Sequence, residues 1–229
     1  MHSTARWAVG SWTDAGTRPR NEDRALFERQ DDGGALAIVC DGFGALPAPA
    51  GALLSESAAW MGLFELQRGS TPHDALQRAH EVADGIAQAG RLSNGGAAAF
   101  CLRAPADGKV EMAACGDVLA LAFYENGSMS LFPARPRCDE AGNLTSYLGI
   151  PDERPFIAEG CFCEPADAIV VVTDGVWRFN TLNSIRDDIT SEFGSWAPEA
   201  KGAARRIVQT ARRNGSTDDA TALVLLRTR

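Results

Sequence analysis

Two runs of the chain are apolar without interruption over the length of a strand: residues 35–40 (Ala-Leu-Ala-Ile-Val-Cys) and 168–173 (Ala-Ile-Val-Val-Val-Thr). A strand with no polar alternation is one buried on both faces. Shorter or alternating runs predict further strands at residues 5–12, 25–27, 97–102, 110–115, 119–124, 128–131 and 221–226. Glu125-Asn126-Gly127 is a hairpin turn signal, so residues 97–131 read as a meander. Helical spacing of Leu53, Leu54, Ala58, Met61 and Phe64 predicts a helix over 52–67. A second helix opens at Thr71-Pro72-His73-Asp74, where threonine suits the cap, proline the first turn and aspartate the helix dipole. It should bury Ala75, Ala79, Val82 and Ile86, leave His73 and His80 on its solvent face, and stop near Gly90. A third helix is expected over 198–213. Residues 43–51 and 133–145 read as loops. The chain shows no repeat or linker, so residues 1–229 read as one domain. Strands, two helices, more strands, then a helix and a strand fit an α+β sandwich of two largely antiparallel sheets with helices outside.

Five carboxylate clusters punctuate this pattern, each where a strand is expected to end. They are Arg18-Pro-Arg-Asn-Glu22-Asp23, Asp41-Gly42, Gly116-Asp117, Asp174-Gly175 and Asp218-Asp219-Ala-Thr221. Any one of them alone reads as a turn, because Asp-Gly is a common turn dipeptide. Gathered together, they would repel one another unless something positive lay between them. Carboxylates without His or Cys at matching spacing suit hard, oxygen-loving cations such as Mg²⁺ or Mn²⁺. The set therefore points to a metal-dependent enzyme.

Composition narrows the partners. A formal net charge of −8 and a pI near 4.9 supply no basic footprint for nucleic acid or an anionic membrane. Arg205, Arg206, Arg212 and Arg213 read as a solvated helix face. Six cysteines occur without a CxxC pair. Cys161-Phe-Cys163 places two thiols on one face of a strand, a poor disulfide geometry. Reduced thiols, an N-terminus without an apolar core and no run approaching the ~18 residues of a membrane span lead us to expect a cytoplasmic protein. High Ala, Arg and Gly usage suits a bacterial source.

In order and setting, the five clusters resemble the metal-dependent serine/threonine protein phosphatases of the 2C type. The family's Arg-x-x-Asn-Glu-Asp start stands as Arg18 to Asp23. Its strand ending in Asp-Gly before a Gly-rich loop and helix stands as Val39-Cys40-Asp41-Gly42-Phe43-Gly44, with Gly51 and Ser55 further on. Gly116-Asp117, Thr173-Asp174-Gly175-Val176-Trp177 and Asp218-Asp219-Ala220-Thr221 follow in the family's order, as does Leu144-Thr145-Ser146-Tyr147-Leu148-Gly149. The resemblance covers essentially the whole chain and implies a four-layer α-β-β-α sandwich that hydrolyses phosphoserine and phosphothreonine in proteins. It implies a monomer opposing a Ser/Thr kinase, with two Mg²⁺ or Mn²⁺ ions sharing a bridging water. Two ions ~3.5–4 Å apart lower the pKa of such a water, and phosphate-monoester hydrolysis requires enhancements of up to ~10²¹.

By the same resemblance Asp41 bridges the ions and the Gly42 carbonyl is a further ligand. Asp174 and Asp218 complete the first ion's shell, while Asp23 and Glu22 hold the second, largely through waters. Asp117 with Asp174 would hold an optional third ion. Arg18 would clamp the substrate phosphate, because its fork matches two phosphate oxygens. Four departures qualify the picture. Leu46 falls where the family carries a histidine thought to protonate the leaving group. Gly-Asp-Ser-Arg has become Gly116-Asp117-Val118-Leu119. Gly-Thr-Thr has become Gly95-Gly96-Ala97. The segment between Leu131 and Leu144, where the family carries a substrate-selecting flap, is short. General acid help is worth ~10²–10⁴-fold, so an aryl phosphate should react faster than a phosphoserine peptide. Two other readings stand beside the enzyme: a catalytically silent module that binds a phosphoprotein or kinase, and a sigma-factor-regulator phosphatase. The second group also ends in Asp-Asp-x-Thr but generally lacks the Arg-x-x-Asn-Glu-Asp start.

Overall fold

The computed structural model describes residues 6–44, 50–92, 95–106, 109–141, 143–150, 154–190, 192 and 199–228. Two antiparallel sheets of five strands each form its centre. One sheet contains β1 (Arg6–Asp14), β10 (Ala220–Thr228), β9 (Ala168–Val172), β6 (Leu119–Phe123) and β7 (Met129–Phe132), in that spatial order. The other contains β2 (Asp23–Arg29), β3 (Ala35–Gly44), β4 (Gly95–Ala104), β5 (Val110–Cys115) and β8 (Ala158–Phe162). Helices α1 (Ala50–Gln67) and α2 (Pro72–Gly90) cover the second sheet. Helices α4 (Leu182–Thr190) and α5 (Ala200–Arg213) cover the first. A single turn, α3 (Asp174–Trp177), follows β9.

Three apolar layers separate these four. Between the sheets lie Val39, Phe100, Leu102, Ile169, Val171 and Leu223. Ile38, Cys40, Leu54, Leu63 and Leu76 pack beneath α1 and α2. Val170, Val172, Ile185, Ile207 and Val224 pack beneath α4 and α5. Successive strand residues alternate faces, so Val39 enters the inter-sheet layer while its neighbours Ile38 and Cys40 meet the helices. That is why β3 and β9 are apolar without alternation.

The structure departs from the sequence pattern at several places. β3 does not stop at Asp41 but runs on to Gly44 through residues read as loop. Glycines permit this: a Cβ on Gly42 would collide with the Gly51 carbonyl oxygen and lie 2.7 Å from that of Glu22, and one on Gly44 would lie 2.9 Å from the Ala50 Cβ. The strand therefore passes directly under the start of α1. The expected meander is broken, because β5 and β6 belong to different sheets. The crossing is made at Gly116, whose φ of +91° suits glycine. α3 and α4 have no clear signal in the sequence, and β8 only the strand reading of Cys161-Phe-Cys163 at its end. β8 is a mixed edge strand, and α4 buries only Ile185 and Ile189.

The helices form as expected, with Thr71 Oγ1 accepting the Asp74 N–H at 3.1 Å, but their buried faces differ. Leu53 and Phe64 are exposed. On α2 the buried stripe is Ala75, Leu76, Ala79, His80, Ala83 and Ala87. His80 is thus a core residue, its Nδ1 accepting the Gly149 N–H at 3.2 Å. Cys40, Cys101 and Cys115 are buried thiols, and the Cys161 and Cys163 thiols, not joined in a disulfide, hydrogen-bond each other at 2.9 Å. Among the described residues no helix is long and apolar enough to cross a membrane.

Candidate active site

The residues of the carboxylate clusters come from both sheets and converge at one end of the sandwich. Antiparallel pairing of β2 with β3 sets Asp23 directly opposite Asp41. Directly opposed residues hold their Cβ atoms ~4.5–5.5 Å apart, and like charges there are destabilising. β9 and β10 carry Asp174 and Asp218 to the matching end of the other sheet. Thr173, the last residue before α3, joins the two sheets: its hydroxyl donates to Asp23 Oδ2 and accepts the Thr221 N–H, both at 3.0 Å.

The segment carrying Arg18, Glu22 and Asp23 is pinned from three sides. Asp219 accepts the Gly16 N–H at 2.9 Å through one oxygen and the Glu22 N–H at 2.7 Å through the other. Ser55 donates its hydroxyl to the Glu22 carbonyl. The Gly42 N–H donates to the same carbonyl at 3.2 Å. Gly51 lets α1 come this close, since a Cβ there would lie 2.7 Å from Glu22 Oε1. Arg212 is not the solvated residue its sequence context suggests. Its guanidinium donates to the backbone carbonyls of Asp14 (2.7 Å), Ser216 (3.0 Å) and Asp218 (2.5 Å), fixing the turn before β10.

The outer carboxylates are held by arginines. Arg18 contacts Glu22 at 2.7 Å and Asp218 at 3.2 Å. Arg178 contacts Asp174 at 3.2 Å and Asp117 at 3.6 Å. The central pair has no such partner: among the described residues no cation lies within 4 Å of Asp23 or Asp41. Asp23 is fully buried, and its Oδ1 has no hydrogen-bond partner. Burial lifts the Asp23 carboxyl to about 7, against the pull of the Thr221 and Thr173 hydrogen bonds and with the push of Asp219 and Asp174. Desolvation, then the charges of Asp23, Asp174, Asp117 and Asp218, hold Asp41 well above the carboxylate range. Burial, helped by Asp174 and opposed by Arg178, raises Asp117 to about 6. Asp174 is raised by burial and eased by Arg178.

This arrangement fits divalent cations. An unpartnered, buried carboxylate oxygen is costly, and positive charge placed between Asp23 and Asp41 removes that cost. Among the described residues no three His, Cys, Asp or Glu side chains are yet drawn together as an ion-holding group. Arg18 bridges Glu22 and Asp218, and Arg178 bridges Asp174 and Asp117. Leu46 lies outside the described residues. Of the described histidines, His80 is committed to Gly149 and His73 to Asp74 and Glu159 on α2 and β8. The sequence pattern singled out Arg18, Glu22, Asp23, Asp41, Gly42, Asp117, Asp174 and Asp218, and all eight fall in this region. It missed the supports Thr173, Asp219, Ser55 and Arg212 and the contacts of Arg178. Thr173 and Asp219 stand beside clustered acids, a faint signal. Arg212 and Arg178 gave none.

Residues 31–229 match the model of the stage II sporulation protein E (SpoIIE) family. The chain belongs to the SpoIIE family. Its fold is that of the 2C-type phosphatases. The family match begins after Arg18–Asp23, so that segment is placed by structure alone. PppA of Pseudomonas aeruginosa, described as a key regulatory component of the T6SS, superposes with a TM-score of 0.79 at 21% identity, over 97% of this chain and 98% of its own. The Mycobacterium tuberculosis serine/threonine phosphatase PstP gives 0.75 at 17% identity, over 97% and 99%. The catalytic domain of PstP in complex with two manganese ions gives 0.76 at 18%, over 99% and 100%. Stp1 of Staphylococcus aureus gives 0.78 at 16%, over 95% and 94%. No curated protein matches the chain.

Proposed function

We propose that this SpoIIE-family chain hydrolyses phosphoserine or phosphothreonine in proteins with the help of two Mg²⁺ or Mn²⁺ ions. The single observation that carries this reading is the buried, unpartnered Oδ1 of Asp23 opposite Asp41. Asp41 would be shared by both ions, with Asp174 and Asp218 on one side and the Gly42 carbonyl, Glu22 and Asp23 on the other. Bound there, divalent ions supply an activated water at neutral pH and offset charge on the phosphoryl group. Asp41 is the carboxyl that positive charge there would ease most, because burial, and then the surrounding acids, hold it well above the usual carboxylate range. Arg18 is half-exposed at the rim, and its guanidinium can exchange Glu22 and Asp218 for two phosphate oxygens. Thr173 and Asp219 hold Asp23 and Glu22 in place throughout.

A silent phosphoprotein-binding module is favoured by one observation: neither described histidine faces the site. One experiment separates the two readings. Phosphate release from p-nitrophenyl phosphate and from a phosphothreonine peptide is measured with and without Mn²⁺, for wild type and Asp174→Asn. The enzyme reading expects Mn²⁺-dependent release that Asp174→Asn abolishes, faster on the aryl ester. No Mn²⁺-dependent release by the wild type would reject it, and release unaffected by Asp174→Asn would reject the site.

A further inference from the structure

Arg178 follows directly on α3 and stands between two carboxylates that come from different connections. Its Nε lies 3.2 Å from Asp174 Oδ2, and its Nη2 lies 3.6 Å from Asp117 Oδ2. Asp117 is a 5% exposed side chain at the β5–β6 crossing, and Asp174 is 16% exposed. Among the described residues no other cation lies within 4 Å of either. Three features place this guanidinium. The i,i+4 spacing aligns it with Asp174. The Trp177 ring lies beside it, 5.3 Å from its centre. The same tryptophan donates its indole N–H to the Asp117 carbonyl at 2.9 Å, which ties that aspartate to α3.

Two buried carboxylates brought this close need a positive charge, which the sequence reading assigned to a third divalent ion. We propose instead that Arg178 is that cation: its guanidinium occupies the Asp117–Asp174 position, so the site takes two divalent ions and excludes a third. This rests on the metal reading above and sharpens it. A guanidinium does not deprotonate in a protein, so while it sits between these carboxylates its charge opposes a third ion. Like charges at such separations in a partly buried site repel strongly. Arg178 engages Asp174 through Oδ2 and Asp117 through Oδ2. Arg178 is therefore a positioning residue for both carboxylates.

The test counts ions rather than turnover. Mn²⁺ stoichiometry of the full chain is measured by isothermal titration calorimetry and by the paramagnetic resonance of free Mn²⁺, with melting curves to verify folding. Wild type should take two ions. Arg178→Met, which keeps the length of the side chain and removes its charge, should take a third. Arg178→Asp, which adds a carboxylate, should take it about tenfold more tightly than Arg178→Met. Three ions in wild type, or two in both variants, would overturn the inference and leave the metal reading standing. No ion in wild type would overturn both.

Discussion

Replacing Asp23 with asparagine should stabilise the metal-free protein and remove most of the stabilisation that Mn²⁺ gives. Asp23 is fully buried and its carboxyl is lifted from 3.8 to about 7. A carboxyl raised in the fold is ionised there at a cost, which grows from about pH 4 and is complete above about pH 7. At ~1.36 kcal/mol per unit, a rise of roughly three units sets an upper bound on the order of 4 kcal/mol. Local relaxation and water entry reduce it, so about 2 kcal/mol is a working figure. Asparagine keeps an oxygen to accept the Thr173 hydroxyl and replaces the orphaned oxygen with a neutral amide. At about 2–4 °C per kcal/mol for a chain of this size, the variant should melt about 4–8 °C higher than wild type in EDTA at pH 7.5. With saturating Mn²⁺ the wild type should gain stability by mass action, and the variant should gain little. Thermal unfolding followed by circular dichroism with EDTA and with Mn²⁺ measures both. A lower melting point in EDTA, or equal Mn²⁺ stabilisation of the two proteins, would refute the reasoning.

In EDTA the wild type should lose stability as pH rises from about 4 to about 7. The fold keeps protons on Asp23 and Asp117 (raised to about 7 and about 6) that the unfolded chain releases. Melting at pH 5.5 should therefore exceed that at pH 7.5, and saturating Mn²⁺ should flatten the difference, because the ions displace those protons. Arg18→Ala should lower kcat/KM on a phosphothreonine peptide about 10–100-fold, the worth of a charge-assisted pair of about 1.5–3 kcal/mol, without weakening Mn²⁺ binding in calorimetry. Asp219→Ala should destabilise the fold by about 2–4 kcal/mol in urea titrations, because it strands two backbone N–H groups.

The two double-faced strands were legible in the sequence because β3 and β9 meet apolar layers on both sides, and α1 and α2 because their spacing and the Thr71 cap are local properties. α4 was not, since two buried isoleucines make a faint stripe. The continuation of β3 through Gly42 and Gly44 was hidden for a different reason. Glycine reads as a loop until one knows that a helix start lies against the strand. The acids of the site could be found because each stands in a recognisable local motif. Their supports act across long stretches of chain: Thr173 reaches Asp23 over 150 residues, and Asp219 reaches Glu22 over 197. Arg212 reads as part of a solvated helix face, and Arg178 carries no signal, until the turn before β10 and the β5–β6 crossing are brought beside them.

The most direct test of the central claim is diffraction at the manganese edge from crystals of the wild-type chain grown with Mn²⁺. The account predicts two anomalous peaks astride Asp41, one against Asp174 and Asp218, the other on the side of Gly42, Glu22 and Asp23. An absence of peaks at Asp41, with Asp23 Oδ1 still facing no positive charge, would contradict it.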